Sequence, residues 1–271
     1  DSASAVVAMQ VSTGAVLAAA SGSGGEGLNT ATVGQYPAGS TFKVVTALAL
    51  LRAGLTPDSE VSCTPTVTVD GYEFENYPGY PAGSVGTIPL REAIAQSCNT
   101  ALIAERERID AVAMAEAADA LGIGAALAEG EPWAFPYYSG TIPDDATGTT
   151  HAADLIGQGG VLASPLAMAG VAASVAAGER VVPMLVEASD AAAPEPPAVP
   201  LTSAETAQLQ DLMRGVVTSG SSTFLQDVPG EPVAAKSGTA QFGTDDPPAT
   251  HAWMIAFQGD LAVAVFVEDG D

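Results

Sequence analysis

Tyr36-Pro37-Ala38-Gly39-Ser40-Thr41-Phe42-Lys43 runs without a break into the apolar segment Val44 to Leu51. Pro37 and Gly39 are turn formers, so the chain enters by a tight bend, and the run that follows reads as a helix closed by Gly54. Val44, Val45, Ala47, Leu48, Leu50 and Leu51 are apolar nearly all round that helix, which places it in the middle of a domain. Ser40 then stands at the N-terminal end of a rigid buried element, where free N–H groups collect and favour developing negative charge. Lys43, three residues on, shares its face and reaches the serine hydroxyl. A desolvated lysine with a depressed pKa takes a proton from a serine and makes it a nucleophile. The same spacing also suits a plain helix cap followed by a solvated lysine.

Lysine usage decides between these readings. Of the eight basic residues besides histidine, only Lys43 and Lys236 are lysines; the others are Arg52, Arg91, Arg106, Arg108, Arg180 and Arg214. A chain that avoids lysine on its surface has not placed these two for solvation. Lys236 opens Lys236-Ser237-Gly238-Thr239 after the strand-like Pro232 to Ala235, and Ser97-Cys98-Asn99 falls in a break between the helical stretches Leu90 to Gln96 and Ala101 to Arg108. Ser97 and Asn99 also have a plain reading, as caps of the following helix.

Further out, Ala5 to Met9 and Ala15 to Ala20 read as a strand pair, and Val233 to Gln241, Ala252 to Gln258 and Leu261 to Val267 as three more, the last two joined at Gly259-Asp260. Helices are expected at Ala111 to Leu121, at Leu166 to Ala177 behind the cap Ser164-Pro165, and at Ser203 to Val217, with Thr87 capping the helix that begins at Pro89. Val61 to Tyr80 looks like a hairpin excursion whose Tyr72, Phe74, Tyr77 and Tyr80 line a groove or pack beneath a loop. The segments 131–150 and 190–200 read as irregular. The fold class is therefore α+β, with one antiparallel sheet built from both chain ends, helices flanking it and an all-helical lobe.

The chain has 271 residues, 47% of them hydrophobic, ample for a core. A formal charge of −24 argues against nucleic acid or an anionic membrane as partner. No apolar run is long enough to span a bilayer. Cys63, Cys98, His151 and His251 show no familiar metal-ligand spacing, so no metal site is expected; the two cysteines suit a disulfide or two buried thiols.

Ser-x-x-Lys, then Ser-x-Asn, then Lys-Ser-Gly-Thr, in that order, resembles the signature of penicillin-binding proteins and serine β-lactamases. Ile156-Gly157-Gln158-Gly159-Gly160 through Ser164-Pro165-Leu166-Ala167-Met168-Ala169 is similar to a segment of penicillin-binding transpeptidases, as are Asn76 and His251-Ala252-Trp253 in context. The likeness is to class B transpeptidase domains of the actinobacterial type. It implies that residues 1–271 are one transpeptidase domain of an anchored protein at the extracytoplasmic face of the plasma membrane, the anchor and an N-terminal pedestal domain being absent from this chain. It further implies action in peptidoglycan synthesis and cell division on stem peptides ending in D-Ala-D-Ala, acylation by β-lactams, cell-wall synthesis proteins as partners and no cofactor. By the same resemblance Ser40 is the acylated nucleophile, Lys43 its base, and Ser97 the relay of a proton to the leaving amine. Asn99 holds the donor amide, Lys236 supplies positive charge, Ser237 and Thr239 bind the carboxylate, and Gly238 leaves room for substrate against the strand. The backbone N–H groups of Ser40 and Thr239 form the oxyanion hole. A D,D-carboxypeptidase shares these motifs. A serine β-lactamase needs a deacylating base that 131–150 does not supply; a β-lactam sensor or non-catalytic binding module is a further alternative, and retention of both lysines and both motif serines disfavours a dead scaffold.

Overall fold

In the computed structural model, which describes residues 2–124, 135–185, 195–243 and 248–270, the two chain ends form one sheet. β1 (Ser4–Gln10) and β2 (Val16–Ser21) pair at the N-terminus. The chain then passes α1 (Thr30–Val33), β3 (Tyr36–Pro37) and a 3₁₀ turn, Gly39–Phe42, that runs straight into α2 (Lys43–Arg52). A second lobe follows: β4 (Glu60–Cys63), the hairpin β5 (Thr66–Val69) and β6 (Tyr72–Glu75), β7 (Gly86–Pro89), α3 (Leu90–Ala95), α4 (Asn99–Ala104) and α5 (Ala111–Ala120). After α6 (Gly148–Asp154) and β8 (Leu162–Ala163) come the long helices α7 (Pro165–Ala177) and α8 (Ser203–Thr218). The closing strands are β9 (Ala234–Phe242), β10 (Ala249–Gln258) and β11 (Leu261–Val267). The main sheet has the order β2-β1-β11-β10-β9, antiparallel throughout, and α7 lies against β1 and β11.

Strand alternation builds the core and sets the site. Val7, Ala264 and Ile255 face each other across β1, β11 and β10, all buried, and the next position in that row, on β9, is Lys236. A lysine thus occupies an inward slot that an aliphatic residue fills on the other three strands. α2 is buried from Lys43 through Leu51, as its all-round apolar sequence requires, with Gly54 at φ +93° beyond its end.

Several expectations are corrected. The second lobe is not all-helical, since β4 pairs with β7 and β5 with β6. Thr87 lies inside β7 and caps nothing; the residue before α3 is Pro89. Residues 131–134 of the first irregular segment and 190–194 of the second lie outside the described residues.

Candidate active site

The Gly39–Phe42 turn that carries Ser40 is held from several sides. Gly39 donates its N–H to the Gly157 carbonyl at 2.8 Å, and the Trp253 indole donates to the Pro37 carbonyl at 3.0 Å. The 157–160 turn is itself fixed by Asp154, whose Oδ1 accepts the Gly160 N–H at 2.8 Å. Burial raises the Asp154 carboxyl to about 6. On the remaining side β9 presses in: a Cβ on Gly238 would lie 2.8 Å from the Thr41 amide nitrogen. Gly238 is therefore required by the approach of the protein's own backbone, a different reason from the room for substrate expected of it. Ser40 caps no helix, since neither the 3₁₀ turn nor α2 has a side-chain cap.

Opposite lies the break between α3 and α4. Ser97 adopts φ +59°, left-handed and unusual for a serine. That turn brings both its carbonyl and its hydroxyl against Lys43. Lys43 Nζ contacts Ser97 O at 2.7 Å, Ser97 Oγ at 3.1 Å and Asn99 Oδ1 at 2.6 Å. These three bonds go to Ser97 and Asn99, so the expected direct reach to the Ser40 hydroxyl is replaced by contacts with better acceptors. Lys236 Nζ approaches the same hydroxyl from the strand side, 2.9 Å from Ser97 Oγ, and donates to its neighbour's carbonyl, Ser237 O, at 2.9 Å. Ser97 Oγ is thus shared by both lysines.

Both lysines are fully buried, and among the described residues neither has a carboxylate partner. Burial, and then the Lys236 ammonium beside it, hold Lys43 well below the usual lysine range. Burial brings Lys236 down to about 7. Two uncompensated ammonium groups in one dry site resist double protonation.

The Ser97–Asn99 turn is anchored by devices that no strand ladder supplies. Cys98 is bonded to Cys63 of β4, resolving the choice between disulfide and thiols, and its sulfur accepts the Ala101 N–H as the N-cap of α4. Neither Ser97 nor Asn99 is that cap. Buried Asn76 accepts the N–H groups of Asn99 at 2.8 Å and Thr100 at 3.3 Å, and donates to Thr64 O at 3.0 Å. The Asn99 amide itself is engaged within the protein, with Nδ2 donating to Glu75 O at 2.8 Å.

A cleft of about 830 Å³ opens over this group, lined by Ser40, Ser97, Asn99, Ser237, Gly238 and Thr239, with the two lysines beneath. All eight candidate residues therefore converge. The transpeptidase domain model of penicillin-binding proteins matches residues 4–271. The chain belongs to the penicillin-binding protein transpeptidase family. It is 36% identical over 256 residues to the peptidoglycan D,D-transpeptidase PbpA of Mycobacterium tuberculosis, covering 87% of this chain and 50% of that protein. To the PbpA of Mycolicibacterium smegmatis it is 35% identical over 266 residues, 90% and 52% of the two chains. The chain thus spans about half the length of these curated relatives. Penicillin-binding protein A from M. tuberculosis, solved as an imipenem acyl-enzyme complex, superposes with a TM-score of 0.83 at 31% identity over 98% of this chain and 69% of that one. Pseudomonas aeruginosa PBP2 in complex with WCK 5153 gives 0.81 at 26% identity, over 99% and 70%.

Within this transpeptidase cleft, Gln158 belongs to the glycine-rich segment singled out in the sequence, whereas the wall residues Glu73, Glu75, Ser221 and Thr250 carried no signal there. They come from a hairpin strand, a loop end and a strand edge with no shared spacing. Tyr72, Phe74 and Tyr77 line the cleft, Tyr80 does not, and Asn76 acts through the backbone N–H groups of Asn99 and Thr100.

Proposed function

We propose that this chain is the catalytic domain of a longer peptidoglycan D,D-transpeptidase that is acylated at Ser40 by stem peptides ending in D-Ala-D-Ala and by β-lactams. The observation that carries the reading is the sharing of Ser97 Oγ by two buried lysines beside the Ser40 turn. Neutral Lys43 takes the Ser40 proton, directly once Asn99 or Ser97 yields a bond to substrate, or through the Ser97 hydroxyl. Ser40 Oγ bonds to the carbonyl carbon of the penultimate D-Ala, and the N–H groups of Ser40 and Thr239 hold the oxyanion, each donor worth about 3 kcal/mol. The amide C–N bond breaks, and Ser97 passes a proton to the departing D-Ala nitrogen. An acceptor amine then attacks the ester and releases Ser40 with a new cross-link. Lys236 with Ser237 and Thr239 holds the substrate carboxylate, which an acidic protein needs a local cation to attract.

Among the described residues no helix is long and apolar enough to cross a membrane. The relatives are peptidoglycan D,D-transpeptidases by name, and the reading extends this to an anchored protein at the outer face of the plasma membrane, working with other cell-wall synthesis proteins. Incubation with a fluorescent penicillin followed by mass spectrometry should place one stable adduct on Ser40. Ser40→Ala should fold and take no label. An adduct retained by that variant would remove Ser40 as the nucleophile, and rapid multiple-turnover hydrolysis would indicate a lactamase.

A further inference from the structure

The loop that follows α8 is drawn into the cleft by its backbone. Ser221 donates its N–H to the Ala95 carbonyl at 3.2 Å, Gln96 Nε2 donates to Ser219 O at 2.7 Å, and a Cβ on Gly220 would stand 2.1 Å from Ala95 O. Only glycine permits that approach, and the loop is pressed against the C-terminal end of α3, immediately before Ser97. The result is that Ser221 lines the cleft with its Oγ 2.7 Å from Ser237 Oγ. One hydroxyl donates to the other, so both are held in line without losing a partner while the cleft is empty. Beneath them Lys236 Nζ sits against Ser237 O.

Two hydroxyl oxygens at this separation match the span of a carboxylate, which has two acceptor oxygens and no donor. When an anion enters, the hydroxyl that was donating sideways turns outward, and each serine supplies one charge-assisted bond. We infer that Ser221 is a substrate-binding residue of this cleft, taking one oxygen of the donor's carboxylate while Ser237 takes the other. The inference rests on the transpeptidase reading and adds to it a contact that lies outside the three motifs. It also explains why an otherwise plain loop is stapled to α3: the staple brings a hydroxyl from a third chain segment to the anion end of the cleft.

The test compares Ser40 acylation by a penicillin fluorescently labelled on its side chain with acylation by the methyl ester of the same molecule, which lacks the carboxylate charge. Ser221→Ala should slow the acid about ten- to hundredfold, the range of one hydrogen bond to a charged group, and leave the ester nearly unchanged. Ser221→Thr, which restores a hydroxyl, should recover most of the rate. Equal slowing of acid and ester would overturn the inference, since it would mean general damage to the cleft. A Ser237→Ala background separates contact from support: a direct contact predicts that adding Ser221→Ala lowers the acid rate further, whereas no additional loss would make Ser221 a mere prop for Ser237 and sink the proposal. Absence of Ser40 labelling in the unmodified protein would instead bring down the transpeptidase reading itself, a result distinct from either.

Discussion

On one side of the cleft, Lys236, Ser237 and Thr239 ride on β9, which is laddered to β10 from Ala234↔Phe257 to Phe242↔Ala249. On the other, left-handed Ser97 lies in the break between two six-residue helices and Asn99 opens the second of them, and a disulfide, a buried asparagine amide and a sulfur cap hold this turn. A strand fixes its side chains by repetition, so each residue's place is shared by many weak bonds. A turn of unusual conformation has no such redundancy and depends on a few specific contacts. Lys236 of the strand wall and Lys43 of α2 meet at the turn wall's hydroxyl, Ser97 Oγ, at 2.9 and 3.1 Å, yet the two walls should fail in different ways.

The largest effect is expected on the turn wall. Replacing Cys63 and Cys98 by alanine removes a bridge with a sequence separation of 35, and unfolding free energy should drop by about 4 kcal/mol in denaturant titrations. Hydrogen exchange in β9 at fixed folded fraction should change little. Strong loss of protection there would show that the walls are not independent. On the strand wall, Gly238→Ala forces β9 off the Thr41 backbone, and acylation by penicillin should fall about a hundredfold for a displacement of about 1 Å. A variant acylated at the normal rate would mean that the strand has slack.

Smaller effects sharpen the contrast. Asn76→Ala strands the N–H groups of Asn99 and Thr100 and should cost about 1–3 kcal/mol of stability. Asn76→Asp keeps the acceptor and should recover part of the acylation rate that the alanine variant loses. If both variants behave alike, the anchoring role fails. The last prediction concerns pH. Lysines pushed down in the folded state bind protons more weakly there than in the unfolded chain, so stability falls as pH drops from about 10 to about 7. Between pH 7 and 9 chemical denaturation should show stability rising by about 1.4 kcal/mol per pH unit for each such lysine. Lys236→Met should remove its share and leave only the Lys43 contribution, about half the rise; an unchanged slope would show that Lys236 is protonated throughout.

The parts legible in the sequence were those carried by pattern. Strand alternation at both ends foretold the sheet, the all-round apolar run foretold a buried α2, and the rarity of lysine singled out Lys43 and Lys236 before any geometry was known. The pairing of Glu60–Cys63 with Gly86–Pro89 was not legible, because four residues are too few for alternation to rise above chance. Nor was the left-handed Ser97, since conformation there is imposed by tertiary contacts. Spacing alone could not choose the disulfide over two thiols, nor show that Lys43 gives its bonds to Ser97 and Asn99.

The pairing of Ser4 with Val267 bears on how the molecule comes into being. A growing chain exposes Ser40, Lys43 and Ser97 early, but β9 arrives far later, and its neighbour β10 later still. Until then Ser97 Oγ lacks Lys236, and the cleft lacks the wall formed by Ser237, Gly238 and Thr239. Ser97 Oγ therefore gains its second lysine neighbour only when the sheet that joins the two chain ends is assembled.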